Sequence, residues 1–159
     1  MKAVVVYDSM YGNTEKIAKA IGGAISGEVK VLRPGEASSS DLKAIDFLIV
    51  GSPTQGFRAT KPVQTFIEGI PKDVPKGMKV AAFDTRMPED DVGKGLRFIM
   101  KMGGYAAPRM AEALRKKGGN LVAPPEGFFV KDKEGPLKEG ELQRAARWVK
   151  EIIETENKI

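Results

Sequence analysis

The sequence predicts one α/β domain whose core is a doubly wound parallel sheet of five strands, with helices on both faces. Short β-branched and apolar runs alternate along the chain with longer segments whose apolar residues recur at helical spacing. Three of the five apolar runs are nearly continuous, which is typical of strands that helices cover on both faces. The length suits a single domain, and we interpret residues 1–159 as one.

Five segments are interpreted as strands because they are short, apolar and rich in β-branched residues. Strands that alternate with helices form a parallel sheet with right-handed crossover connections. The prolines and glycine within 124–127 predict a turn or irregular stretch inside the last strand region. The predicted strands are 3–7, 29–32, 47–51, 79–83 and a last one from Leu121 onward.

Three amphipathic helices are predicted from apolar residues that recur three and four positions apart. They run through residues 17–25, 63–70 and 142–153, and Pro62 is well placed near the first turn of the second helix. We expect each apolar stripe to pack against the sheet rather than to bind a ligand.

The composition excludes several kinds of chemistry. The sequence has no cysteine, which excludes disulfides, iron–sulfur clusters and thiol catalysis. It also has no histidine, the commonest general base and transition-metal ligand, so we predict neither a metal site nor a catalytic residue. Any redox chemistry then requires a bound cofactor. The apolar runs are too short to cross a membrane, and residues 1–8 resemble a first strand rather than a signal peptide, so we expect a cytoplasmic protein.

Positive charge is concentrated in one segment of the chain. The net charge is +5, and residues 93–119 alone carry +6, from seven basic residues and one acidic residue. A solvated helix face would explain this charge, and a docking surface for an acidic partner protein is the alternative. Nucleic-acid binding is not predicted, because the segment lacks interleaved exposed aromatic residues and matches no nucleic-acid-binding motif.

The loop after the first predicted strand has the composition of a phosphate site. Ser9 and Thr14 offer hydroxyl groups, and Gly12 lets a ligand approach the backbone closely. The first N–H groups of the following helix point into the same loop, where the helix dipole favours an anion. The alternative is an ordinary turn in which Asn13 or Thr14 caps the helix. The loop matches neither the nucleotide-hydrolase nor the dinucleotide glycine motif.

This loop resembles that of a known family. Residues 9–18, SMYGNTEKIA, are similar to the FMN-phosphate loop of flavodoxins, and the form YDSMYGNT in residues 7–14 is closest to the flavodoxin modules of A-type flavoproteins. The order of predicted elements resembles that family over nearly the whole chain. The resemblance implies the strand order 2-1-3-4-5 and the cofactor FMN. It also implies a phosphate held through hydroxyls and backbone amides, without a positive side chain.

The resemblance also implies roles for the loops after the third and fourth strands. Residues 53–57 would lie along the flavin ring, where Gly56 permits a peptide flip and Phe57 either stacks on the ring or anchors the loop. Flavodoxins often place an aromatic residue after the fourth strand, and here Met87 or Tyr105 would cover that ring face instead. Arg86 would pair with neighbouring acids or lie close to the ring. The residues implied to bind FMN are Ser9, Met10, Tyr11, Gly12, Asn13, Thr14, Pro53, Thr54, Gln55, Gly56, Phe57, Asp84, Thr85, Arg86 and Met87.

Three functions are consistent with these sequence features. The first is an FMN-dependent electron carrier that docks a redox partner protein, acidic in character, through the basic face at 93–119. The second is an FMN-dependent oxidoreductase of the quinone or porphyrinogen type on the same fold. The third is an interaction module that binds no flavin.

Overall fold

The computed structural model describes residues 1–72, 74, 76–88 and 104–158. Within these residues, six strands form one sheet in the order β2-β1-β3-β4-β5, and β6 also pairs with β4. All of the pairings are parallel, so the predicted α/β class and strand order are confirmed. The strands are β1 Lys2–Tyr7, β2 Glu28–Leu32, β3 Phe47–Pro53, β4 Lys79–Arg86, β5 Asn120–Leu121 and β6 Glu126–Phe129.

The prediction of a single last strand was wrong, because that region forms two short strands. β5 pairs with the start of β4 at Lys79 and Val80, and β6 pairs with its end from Phe83 to Arg86. Between them lie Pro124 and Pro125, which have no N–H to donate to a ladder. The irregular stretch predicted there therefore divides the strand.

Five helices are present in the described part of the chain, and they include the three that were predicted. The predicted helices show the expected buried apolar stripe. In the first of them, for example, Ile17 and Ile21 are fully buried. A short 3-10 turn at Pro34–Glu36 precedes α2. The helices are α1 Asn13–Gly23, α2 Ser39–Lys43, α3 Lys61–Glu68, α4 Ala106–Lys116 and α5 Glu141–Asn157.

The helices form two layers, one on each face of the sheet. Alternate strand residues supply the two cores: Val4 and Val6 pack with α3 and α4, whereas Val5 and Tyr7 pack with α1 and α5. This alternation follows from the two-residue period of a strand. No helix in the described ranges is long and apolar enough to cross a membrane.

Candidate functional site

A cleft of about 490 Å³ lies where the carboxyl ends of β1, β3 and β4 meet. Parallel strands end at the same edge of a sheet, and ligands of open α/β sheets bind in the crevice there. The residues implied to bind FMN all line this cleft, apart from Gly12 and Asp84. Among the described residues, Tyr105, Val130 and Lys133 line it as well. The structure thus brings three separate loops together, while their contacts with a ligand stay a prediction.

The β1–α1 loop (residues 8–12) ends at a helix that has no side-chain cap among the described residues. The N-cap is Gly12, in the left-handed conformation with a φ of 92°. Asn13 and Thr14 are the first two residues of the helix, so the alternative in which one of them caps it is wrong. The first intrahelical bond comes from the Lys16 N–H to the Gly12 carbonyl at 3.1 Å. The N–H groups of residues 13–15 are therefore left for another partner.

The loop itself is held by short local bonds. Asp8 Oδ1 accepts a hydrogen bond from the Ser9 N–H at 2.9 Å, and Ser9 Oγ accepts one from the Gly12 N–H at 3.0 Å. Arg33 donates to the same Asp8 oxygen at 3.3 Å. Met10 and Tyr11, at 56% and 47% exposure, form the rim of the cleft. Hydrogen bonds within the protein thus define the shape of the loop.

Thr14 lies at the base of the cleft, where it meets the end of β4. Its side chain is almost fully buried, and its Oγ1 is 2.8 Å from Oγ1 of Thr85. One of the two hydroxyls donates to the other, so the donor still has lone pairs free and the acceptor still has a proton to give.

The β3–α3 loop forms one wall of the cleft through a tight two-residue turn. Gln55 and Arg58 exchange backbone hydrogen bonds of 2.8 and 3.0 Å across Gly56 and Phe57. Both central residues have positive φ, 55° for Gly56 and 68° for Phe57. Phe57 is half-buried and faces the cleft. A phenylalanine in the left-handed region is strained, and such strain often accompanies a functional loop.

Asp84 and Arg86 form a scaffold at the end of β4. Arg86 donates to both carboxylate oxygens of Asp84, at 2.6 and 2.7 Å, and its guanidinium stacks on the Tyr105 ring at 3.6 Å from the centroid. The Ala107 N–H donates to Asp84 at 2.8 Å, and the Ala106 N–H donates to Thr54 Oγ1 at 3.1 Å. These bonds fix the N-terminus of α4. Asp84 is fully buried and outside the cleft lining, where it supports Arg86 and the start of α4, and its assigned contact with FMN stays a prediction.

The charges of this scaffold are balanced internally. Burial raises the pKa of Asp84, while the Arg86 guanidinium and the Ala107 N–H act in the opposite direction. Arg86 therefore meets the expectation that it pairs with a neighbouring acid. It also lines the cleft, while its position close to the ring stays a prediction.

Sequence reasoning missed Val130 and Lys133, which lie in a hairpin after β6. Val130 pairs with Leu137 across the turn, and this turn brings Lys133 to the cleft. The sequence predicts a turn at Gly135-Pro136, but it does not show the long-range hydrogen bond between Asn13 and Glu134 that holds the hairpin against α1. Tyr105 was foreseen as a residue that reaches the cleft, and it does line it.

The basic face at 93–119 is described only in part, because residues 93–103 lie outside the described residues. In the remainder, Arg109, Arg115 and Lys116 are exposed. Arg115 pairs with Glu112 at 2.6 Å, and Lys117 donates to the Glu68 carbonyl at 2.7 Å. Some of the positive charge predicted for this face is thus engaged within the protein.

Comparison with known proteins agrees with this geometry. The sequence model of the flavodoxin domain matches residues 4–133. A flavodoxin from the domain Archaea is 27% identical, with a TM-score of 0.77 and 98% of each chain covered. Flavodoxin 1 from Bacillus cereus is 20% identical, with a TM-score of 0.72, and the match covers 97% of this chain and 98% of that one.

A larger protein also contains this fold. The flavodiiron core of Flv1 from Synechocystis is 18% identical, with a TM-score of 0.68, and the match covers 99% of this chain but 36% of that one. No curated protein matches the sequence. The resemblance found in residues 9–18 is confirmed over most of the chain, which belongs to the flavodoxin family.

Proposed function

We propose that this chain binds FMN in the cleft and carries electrons to and from a partner protein. One observation carries the proposal: the N-terminus of α1 opens on the cleft with no side-chain cap from the described residues. Unpaired N–H groups and the helix dipole together favour an anion at this position. A phosphate is the anion that the family's cofactor would bring there.

The residues of the cleft fit such a cofactor. A volume of about 490 Å³ is within the usual range for small-molecule sites. A Cβ built on Gly12 would meet nothing within 4 Å, so the space above the loop is open to a ligand. One end of the cleft offers the hydroxyls of Ser9 and Thr14, and the other offers the apolar surfaces of Phe57 and Met87. A molecule with a phosphate at one end and a planar ring at the other would satisfy both.

Each wall of the cleft then has a role. Ser9, Thr14 and the first amides of α1 would hold the phosphate, and Thr54, Gln55 and Phe57 would border the ring. Bound FMN would supply the redox chemistry, for which this sequence offers neither cysteine nor histidine. Gly56 tolerates either orientation of its peptide, so it can present a carbonyl or an N–H to the ring edge. Tyr105 and Met87 would limit access of water to the opposite face.

The partner we propose is an acidic protein that docks on the basic face at 93–119. Exposed Arg109, Arg115 and Lys116 support this proposal, since opposite charges steer association and make its rate fall with ionic strength. The rate of electron exchange with an acidic ferredoxin as probe should fall in Lys116→Glu. The exposed Lys150 on α5 supplies the control, because Lys150→Glu makes the same charge change on the other face of the sheet.

The function is tested by titrating purified apoprotein with FMN and following the quenching of flavin fluorescence. We expect a micromolar or tighter dissociation constant, weakened about 100-fold in Gly12→Asp, because the new carboxylate competes for the helix N-terminus and repels the phosphate. The matched control is Gly140→Asp. Gly140 is also a left-handed N-cap, with a φ of 83° and nothing within 4 Å of an added Cβ, but it begins α5 away from the cleft.

Two results would contradict the proposal. Wild-type protein that leaves FMN fluorescence unchanged would favour the flavin-free interaction module. Turnover of nicotinamide or quinone by the purified flavoprotein alone would favour the oxidoreductase instead of the carrier.

A further inference from the structure

Lys133 brings a positive charge to the cleft beside the β1–α1 loop. We propose that Lys133 is a direct contact of the FMN phosphate, presented by the hairpin that follows β6; the inference rests on the proposed function. The family resemblance implies a phosphate held by hydroxyls and amides alone. Lys133 therefore adds a binding residue that the motif in residues 9–18 does not contain.

The hairpin that carries Lys133 is well defined. The Lys131 N–H donates to the Pro136 carbonyl at 2.8 Å, and the Lys138 N–H donates to the Phe129 carbonyl at 2.9 Å. The Gly135 N–H closes the tip by donating to the Asp132 carbonyl at 2.9 Å. These bonds fix the backbone on both sides of Lys133.

Asn13 fastens the tip of this hairpin to the start of α1. Its side chain is buried at 8% exposure, and Nδ2 donates to the Glu134 carbonyl at 3.1 Å. The contact needs a glycine at 135, where φ is 105° and a Cβ would lie 2.7 Å from both polar atoms of the Asn13 amide. Glu134, the residue next to Lys133, is thus bonded to the first residue of α1, the helix for which the described residues provide no side-chain cap. Asn13 is a positioning residue for Lys133.

Charge balance distinguishes Lys133 from Arg86, the other cation that lines the cleft among the described residues. Arg86 is bound through two hydrogen bonds to the buried carboxylate of Asp84. Lys133 has no ion-pair partner within the described part of the chain. A phosphate monoester carries a charge of about −1.5 to −2 at neutral pH. Lys133 supplies the uncompensated positive charge for it at this end of the cleft.

The test compares FMN with riboflavin, which has the same ring and no phosphate. In Lys133→Met we expect the FMN dissociation constant to rise about three- to fivefold, as for a charge pair made by an exposed lysine, while that for riboflavin stays the same. Lys133→Arg should retain most of the FMN affinity. Lys131→Met is the matched control, because Lys131 is an exposed lysine of the same hairpin outside the cleft lining, and it should change neither constant.

Asn13→Ala gives a second readout of the same contact. It should lower the preference for FMN over riboflavin in the wild-type background and should have little effect on that preference in Lys133→Met. Added salt should also reduce the difference in FMN dissociation constant between wild type and Lys133→Met, because salt screens the charge of an exposed lysine.

Each contrary result has a distinct meaning. If Lys133→Met weakens FMN and riboflavin equally, Lys133 stabilises the fold and does not contact the phosphate. If the FMN dissociation constant is unchanged, Lys133 is not part of the site. Either result would overturn this inference but not the proposed function. Wild-type protein that binds neither flavin would overturn the proposed function and this inference with it.

Discussion

The two ends of the cleft use their polar groups in opposite ways. At the β4 end, Asp84 and Arg86 bond to each other, and Asp84 and Thr54 accept the first N–H groups of α4. At the β1–α1 loop, the first N–H groups of α1 have no such acceptor on a described side chain. Two helices thus begin at one cleft, and among the described side chains acceptors are found for the first N–H groups of α4 but not for those of α1.

This difference teaches which of the predicted contacts serve the fold and which are available to a ligand. A buried polar group needs a partner, and one that already has it within the protein contributes to stability. Substitutions at the β4 end should therefore lower the free energy of unfolding more than they weaken FMN binding. Substitutions in the β1–α1 loop should do the reverse.

The largest expected effect is that of Arg86→Met on stability. The substitution leaves the fully buried carboxylate of Asp84 without its counter-charge, and we expect a loss of about 3 kcal/mol in the free energy of unfolding at neutral pH. Burial already raises the pKa of Asp84, and loss of the guanidinium raises this pKa further. A carboxyl group whose pKa is higher in the folded state does not destabilise the fold below its unfolded pKa of about 4, where it is protonated in both states. The stability lost in Arg86→Met should therefore grow as the pH rises from about 4 to 7.

Urea unfolding of the apoprotein across this pH range checks the prediction. The double variant Asp84→Asn, Arg86→Met is the control, since it buries no charge and should lose less stability at neutral pH than Arg86→Met. A stability loss independent of pH would show that Asp84 is not the cause.

The next effect is expected at Gly127, which pairs with Asp84 across the sheet. A Cβ there would overlap the Arg86 guanidinium, which Asp84 and Tyr105 hold in place. Gly127→Ala should cost about 2 kcal/mol of stability through overpacking. In the Arg86→Met background the clash is relieved, so a double-mutant cycle should show a coupling of the same order. If the stability losses of the two single substitutions simply add in the double variant, the cost of Gly127→Ala comes from the backbone conformation and not from a clash with Arg86.

Local sequence patterns were sufficient to predict the fold class, while the anion site that they predict in the first loop stays a prediction. The apolar period through 17–25 predicted a buried stripe, and Ile17 and Ile21 are fully buried. The hydroxyl and glycine pattern of residues 9–14 predicted an anion site, and the helix behind it is uncapped by side chains of the described residues. These features depend on neighbours in the chain, which a sequence shows directly.

Contacts between distant residues were not predictable in the same way. Asp84 was assigned to FMN because it follows the fourth strand, but its hydrogen bond to Ala107 depends on how α4 docks. Lys133 was missed because its position depends on the bond between Asn13 and Glu134, 121 residues apart. A pattern gives the type of group at a position, while its partner is set by tertiary packing.

Thr14 and Thr85 join the two ends of the cleft, and they test whether the ends are independent. Thr14→Val keeps the shape but leaves the buried Thr85 hydroxyl without its 2.8 Å partner, so we expect a loss of about 1.5 kcal/mol in unfolding free energy and weaker FMN binding. In Thr14→Val, Thr85→Val the stability should largely return, because neither hydroxyl is then unpaired. FMN affinity should not return, because the Thr14 hydroxyl is still missing. Recovery of both would mean that Thr14 serves only the fold.

The smallest effect is expected at Phe57, on the ring side of the cleft. Phe57 has a φ of 68°, a conformation that asparagine adopts more easily. In Phe57→Asn, relief of about 1 kcal/mol of strain should offset the lost contacts of a half-buried ring, so the stability of the apoprotein should hardly change. FMN and riboflavin should both bind about fivefold more weakly, since an aromatic contact does not sense the phosphate. Fluorescence titrations with the two flavins would separate this outcome from that of Lys133→Met. A loss of affinity for FMN alone would place Phe57 at the phosphate. That result would contradict the division of the cleft into a ring end and a phosphate end.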